Sequence, residues 1–145
     1  MRAFRNILPA LLIALLLLNL EVNADKWQLY SEHMGIRIEY KYADCDLERG
    51  FDQEWVLLKI TNYTKKKKTI AWKSNLWFNE RCKTCDVKGQ EYQRSFTLDG
   101  GKSLRGTCSV SSVKGLNIFV KFIDDQYKNA NPQALTKFEL VNIKV

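Results

Sequence analysis

Histidine is almost missing from this chain: His33 is the single one among 145 residues. A Ser/His/Asp triad or a multi-histidine metal site needs histidine in a defined role, and His33 falls in a short turn with no such company. No glycine-rich stretch has the spacing of a phosphate-cradling loop. No two acids are pinned by the sequence across a cleft, as paired-carboxylate hydrolysis requires. Beyond residue 20 no apolar run approaches the roughly 20 residues of a transmembrane helix. From residue 25 onward the 3.6-residue periodicity of an amphipathic helix is absent as well. These absences leave no catalytic constellation, no cofactor signature and no metal centre, so a non-catalytic protein is expected. Nothing points to nucleic acid as a partner.

What is present begins with an export signal. Arg2 and Arg5 precede an apolar run from Ile7 to Leu20, and Val22-Asn23-Ala24 supplies a small-residue cleavage site. Residues 1–24 therefore read as a signal peptide cut after Ala24, with no cysteine at the cut to carry a lipid. Residues 25–145 are long enough for one domain with a buried core. Losing two arginines and one glutamate with the leader lowers the net charge from +7 to +6. A basic surface of this size favours anionic partners without naming one.

The rest of the chain alternates with period 2. Ile36, Ile38, Tyr40 and Tyr42 against Arg37, Glu39 and Lys41 make a half-buried antiparallel strand, preceded by a short first strand at Trp27–Ser31. Trp55–Asn62 is apolar on both faces near its start, the mark of a central strand, with Val56, Leu58 and Ile60 on one side and Trp55, Leu57 and Lys59 on the other. Between these two strands lies an acidic loop, Asp44–Glu54. Thr69–Phe78 places Ile70, Trp72, Ser74, Leu76 and Phe78 on one face and sets Trp77 out of phase, a candidate exposed aromatic. Shorter strands follow at Gln90–Leu98, Ser103–Cys108 and around Leu116–Ile123, and Thr136–Val145 closes the chain with a phase change that implies a bulge. Seven or eight strands at such spacings predict an all-β antiparallel sandwich, immunoglobulin-like or fibronectin-like, with a small closed barrel as the alternative.

The four cysteines, Cys45, Cys82, Cys85 and Cys108, all lie in the exported part, so two disulfides are expected. Counting strands puts all four at one pole of the sandwich. The first pairing expected ties one of Cys82 and Cys85 to Cys45 and the other to Cys108, joining three loops; the second is a local Cys82–Cys85 link with Cys45–Cys108. Two other chemistries use the Cys82-x-x-Cys85 spacing, a tetrahedral zinc site and a redox-active dithiol. The second normally relies on a helix N-terminus to activate the thiol, and no helix follows.

The run Lys65–Lys66–Lys67–Lys68 is a candidate anion contact, or else a solvated hairpin turn at the pole opposite the cysteines. Asp44-x-Asp46-x-Glu48 lacks the glycine and distal glutamate of a calcium loop, so its acids are expected to be solvated or paired with Arg81 and Lys83. Asn62-Tyr63-Thr64 fits a glycosylation sequon, useful only in a eukaryotic export route, and reads first as a turn asparagine.

Asp44-Cys45, Val56-Leu57-Leu58-Lys59-x-x-Asn62, Trp72 with Leu76-Trp77-Phe78, Cys82-x-x-Cys85, Gly106-x-Cys108 and Leu135-Thr136-x-Phe138-Glu139-Leu140-x-Asn142 together resemble small exported bacterial β-sandwich proteins without an assigned activity. The resemblance implies location and fold, and carries no site residues. The function expected is a secreted or periplasmic, monomeric binding or structural accessory module, whose partner is a protein, a glycan or an anionic polymer. The alternatives are thiol–disulfide or zinc-dependent activity at Cys82 and Cys85, and a small secreted inhibitor.

Overall fold

The alternation that starts at Ile36 runs further than its clearest stretch. In the computed structural model, which describes residues 26–46, 52–124 and 132–145, Ile36 and Ile38 are fully buried and the strand continues through Asp46. The leader expected over residues 1–24 and Glu48 lie outside the described residues. The described strands, in chain order, are β1 (Gln28–His33), β2 (Ile36–Asp46), β3 (Asp52–Asn62), β4 (Lys68–Phe78), β5 (Arg81–Cys82), β6 (Gln93–Leu98), β7 (Ser103–Arg105), β8 (Asn117–Phe122) and β9 (Leu135–Lys144). A 3-10 turn at Gln90–Tyr92 leads into β6 and takes the first residues of the strand expected there.

All pairings are antiparallel and form two sheets. In the first, β1, β2 and β3 are successive neighbours, and β3 pairs on its other edge with both β7 and β8. In the second, β4 is central, with β9 on one edge and β5 and β6 sharing the other. The inner faces of both sheets meet in one core of Ile36, Ile38, Val56, Leu58, Ile60, Ile118 and Val120 against Ile70, Trp72, Leu98 and Leu140. Each fully buried aliphatic side chain contributes about 1.5–3 kcal/mol. The two-sided apolar character of β3 thus has its cause: it is paired on both edges and packed between the core and an outer covering.

β7 and β8 lie end to end along β3, as one strand position interrupted by the 107–115 loop. Both ends of the interruption bond to one residue: Gly106 N–H donates to Leu58 O at 2.8 Å, and Leu58 N–H donates to Leu116 O at 2.8 Å. Such a close neck leaves no room for a side chain, since a Cβ on Gly106 would stand 2.4 Å from Leu116 O and from Asn117 Oδ1.

Several boundaries differ from expectation for local reasons. The described residues of the acidic segment, 44–46 and 52–54, are strand, because β2 and β3 stay in register out to Asp46 opposite Asp52. Glu54 pairs with Lys121 of β8 at 3.1 Å. The strand expected over Ser103–Cys108 stops at Arg105, where the neck begins. β5 has two residues, too few for any periodicity to announce. The bulge expected in the last strand is present: β9 slips register between the positions opposite Ala71 and Lys73, with Asn142 at φ 55°.

Replacing Leu58 by Ala is expected to lower the unfolding free energy by about 3 kcal/mol, through the cavity left in a site with 0% exposure. Leu29→Ala, at 60% exposure, should cost about 0.5 kcal/mol or less in the same urea titration. Gly106→Ala should cost about 2 kcal/mol by forcing the neck off Leu58.

Candidate functional site

In β2 and β3 the side chains that do not enter the core alternate onto the outer face of the first sheet. Register sets Lys41 beside Leu57, Glu39 beside Lys59, and Lys59 beside Arg105 of β7. Trp27, immediately before β1, lies over this surface, with Lys41 Nζ and Lys59 Nζ each 5.6 Å from its ring centroid. Both lysines thereby gain a cation–π contact. Glu39 holds Lys59 in an ion pair at 2.8 Å.

Between Trp27 and the Arg105–Cys108 segment is a cavity of about 530 Å³, lined among others by Lys41, Leu57, Arg105, Gly106 and Thr107. Leu57 forms an apolar floor: it is 4% exposed although its position faces outward, because walls rise on either side of it. Arg105 is exposed, and its guanidinium has no hydrogen-bond or ion-pair partner among the described residues. One wall is therefore an indole and the other a backbone turn carrying an unengaged guanidinium. Tyr42 stands at the same rim; burial pushes its phenol above the ordinary tyrosine pKa, with Tyr40 and Glu54 adding to the effect.

The Cys45–Cys108 disulfide supports the second wall, since Cys45 is 1% exposed near the end of β2 and Cys108 follows Thr107 in the loop. The other disulfide joins Cys82 to Cys85. This corrects the first pairing expected, in which both of those cysteines reached out to other loops. The chain reverses at once after β4 through Asn79 and Glu80, both at positive φ, so that Cys82 comes to lie opposite Trp77. Residues 82–85 then lie along the edge of β4, where Thr84 Oγ1 donates to Ser74 O at 2.9 Å and accepts from Leu76 N–H at 2.8 Å. The segment is a hairpin folded back on β4 rather than a loop leaving it. By loop closure a bridge spanning 63 residues stabilises by about 4 kcal/mol and one spanning 3 by about 2 kcal/mol. No free cysteine remains to supply a four-thiolate zinc site.

The other sequence candidates are dispersed. Lys65, Lys66 and Lys67 are exposed; Lys67 pairs with Asp99 at 3.2 Å and Lys68 Nζ donates to Met34 O at 2.5 Å, which leaves Lys65 and Lys66 as the cations of that turn without an ion pair among the described residues. The turn lies at the Asn62 end of β3, opposite the Cys45 end. Trp77 is out of phase with buried Trp72, as expected, but is half-buried, with Lys137 Nζ 4.5 Å from its ring centroid. A second cavity, about 560 Å³ on the outer face of the other sheet, is also cationic. Its cations are largely committed: Lys73 Nζ donates to Cys85 O at 2.7 Å, and Arg94 donates to Glu91 O at 2.6 Å and Gln93 O at 2.8 Å. Trp27, Arg105 and Thr107 were not singled out by sequence. Only the register of β2, β3 and β7 brings them together, although the outward positions of Lys41 and Lys59 were readable.

Asn62 is a clamp and not a glycan acceptor in the folded chain. It is 0% exposed; its Nδ2 donates to the carbonyls of Lys66, Leu98 and Asp99 at 2.8, 3.1 and 3.2 Å, and its Oδ1 accepts from Thr64 N–H and Oγ1 at 3.0 and 2.7 Å. Both Asn62→Ala and Asn62→Asp should lower stability by about 3 kcal/mol in thermal unfolding, because neither side chain can donate to those carbonyls. Lys65→Ala, in the same turn, should change it by about 0.5 kcal/mol or less. The two disulfides put the folded protein in an oxidising, extracellular type of compartment. No helix among the described residues is long and apolar enough to cross a membrane. Compared with known proteins, the chain matches no family model, no curated protein and no solved structure.

Proposed function

We propose that this protein is an exported, monomeric binding module that takes an anionic glycan, without chemical change to it, in the cavity between Trp27 and Arg105. The observation that carries this is the pairing of an indole wall with an unengaged guanidinium across an apolar floor. The C–H face of a sugar ring packs on an aromatic plane, and a sulfate or uronate carboxylate meets a guanidinium through two parallel hydrogen bonds. Lys41, whose ammonium also lies over the Trp27 ring, adds positive charge at the rim. The leader over residues 1–24 supplies the route of export, and the disulfides suit a secreted or periplasmic destination.

An immunoglobulin-like or fibronectin-like architecture accompanies this reading, in keeping with the resemblance to exported bacterial sandwich proteins. Counting β7 and β8 as one interrupted position, and β5 and β6 as sharing one edge, the sheets have four and three positions, the numbers of a constant-type immunoglobulin sandwich. The consecutive meander β1–β2–β3 departs from that fold's strand order, so the likeness is one of layers rather than connectivity.

A second reading, a secreted inhibitor, draws on the tip of the 107–115 loop, where Val110 is 97% exposed. That tip closes as a turn, Ser112 N–H to Ser109 O at 2.9 Å, so it would enter a partner as a knob rather than lie in a cleft as an extended strand.

Calorimetric titration with sulfated and uronate oligosaccharides tests the first reading. Trp27→Ala and Arg105→Ala are each expected to weaken binding at least tenfold, about 1.4 kcal/mol, and raised salt should weaken it further. The Lys65→Glu/Lys66→Glu pair should leave the affinity within twofold. Equal binding of a neutral glucan, or loss confined to the lysine variant, would sink the assignment.

A further inference from the structure

We propose that Cys82 and Cys85 form an exchangeable redox pair, a site of thiol–disulfide exchange with an external dithiol or disulfide, while Cys45–Cys108 is permanent. The site lies on the other sheet from the Trp27 cavity and does not depend on the glycan reading. The two bridges differ in what they hold. Cys45–Cys108 has one exposed cysteine, Cys108, but Cys45 is 1% exposed and the bond joins the end of β2 to a loop 63 residues on, whereas Cys82 and Cys85 are both partly exposed and only 3 apart.

The Cys82–Cys85 segment keeps its shape without its disulfide. Lys83 N–H donates to Leu76 O at 2.8 Å, Thr84 is 2% exposed and bonds both Ser74 O and Leu76 N–H, Val87 N–H donates to Thr84 O at 3.2 Å, and Lys73 Nζ holds Cys85 O. Reduction would leave the two sulfurs side by side, so reclosure is intramolecular and fast.

The surroundings also bring hydrogen-bond donors and cations to the pair. Cys85 N–H donates to Cys82 Sγ at 3.1 Å, and this bond serves where redox dithiols elsewhere use a helix N-terminus. Arg81 and Lys83 flank Cys82 in sequence and are exposed, and Lys73 reaches the segment from β4. Trp77 is the cross-strand partner of Cys82, so its emission should report the state of the pair.

The exchange balances as follows. A thiolate of an external dithiol attacks Cys82 Sγ, the Cys82–Cys85 bond breaks, and Cys85 leaves as a thiolate that takes a proton. The second external thiol then attacks the mixed disulfide and releases Cys82. Two electrons and two protons pass to the protein, and the external dithiol becomes a disulfide. In reverse, the Cys82 thiolate reduces a partner's disulfide.

The native protein is equilibrated in glutathione buffers of graded ratio, quenched in acid, alkylated and mapped by peptide mass. The Cys82–Cys85 pair should interconvert reversibly and open at a ratio of squared reduced glutathione to glutathione disulfide at least tenfold below that which opens Cys45–Cys108, with near-ultraviolet circular dichroism retained. The reduced protein should then reduce a peptide disulfide. Cys82→Ser should abolish that transfer while keeping the fold, and Lys83→Glu should slow exchange with anionic glutathione at least threefold where Lys83→Arg does not. Opening of both bridges together, loss of tertiary signal when Cys82–Cys85 opens, or a reduced protein that leaves the peptide disulfide intact would overturn the proposal.

Discussion

Leu58 is held three ways at once, and most of what is distinctive in this protein follows from that. Its side chain is fully enclosed in the core, while its N–H and C=O take Leu116 O and Gly106 N–H on the outer edge of β3. Those two backbone bonds let one strand position be made from two pieces and let the intervening residues leave the sheet. The 107–115 excursion then supplies the disulfide anchor, one wall of the cavity and the exposed Val110. Gly106 is required by the crowding at the neck rather than by a turn.

Charge is arranged by exclusion. The core is made of aliphatic side chains and Trp72, so ionic side chains are left to the outer faces, and the cavities on both faces are lined by cations. Net charge therefore does not distinguish one face from the other. What separates them is the state of the guanidinium: Arg94, beside Lys73 in the second cavity, is spent on backbone carbonyls. A guanidinium without such partners, at Arg105, has its donors available to an incoming anion.

The sequence made the layers legible because their signal is local. Alternation at Ile36–Tyr42, two apolar faces on Trp55–Asn62 and the odd phase of Trp77 each follow from period 2 within a few residues. The phase change near Val141 announced a bulge for the same reason. What stayed hidden was non-local. The neighbours of Lys59 are Glu39 and Arg105, and no window of sequence holds all three. The pairing of Cys82 with Cys85 turned on Asn79 and Glu80 taking positive φ, a conformation that asparagine adopts readily but glutamate seldom does, and that alternation does not encode. Asn62 was readable as a turn asparagine, but its burial was not, and the role of Thr84 was hidden in the same way, since a short polar residue looks alike whether it faces water or closes a hairpin.

Asn62 is saturated: both faces of its amide are spent on backbone groups from Thr64, Lys66, Leu98 and Asp99. The Asn62-Tyr63-Thr64 signal is thus legible to a sugar-transferring enzyme only while the chain is still open, and modification and closure compete for the same nitrogen. In a compartment containing such an enzyme, a sugar at this position would be a timestamp, recording a molecule in which the β3–β4 hairpin closed late.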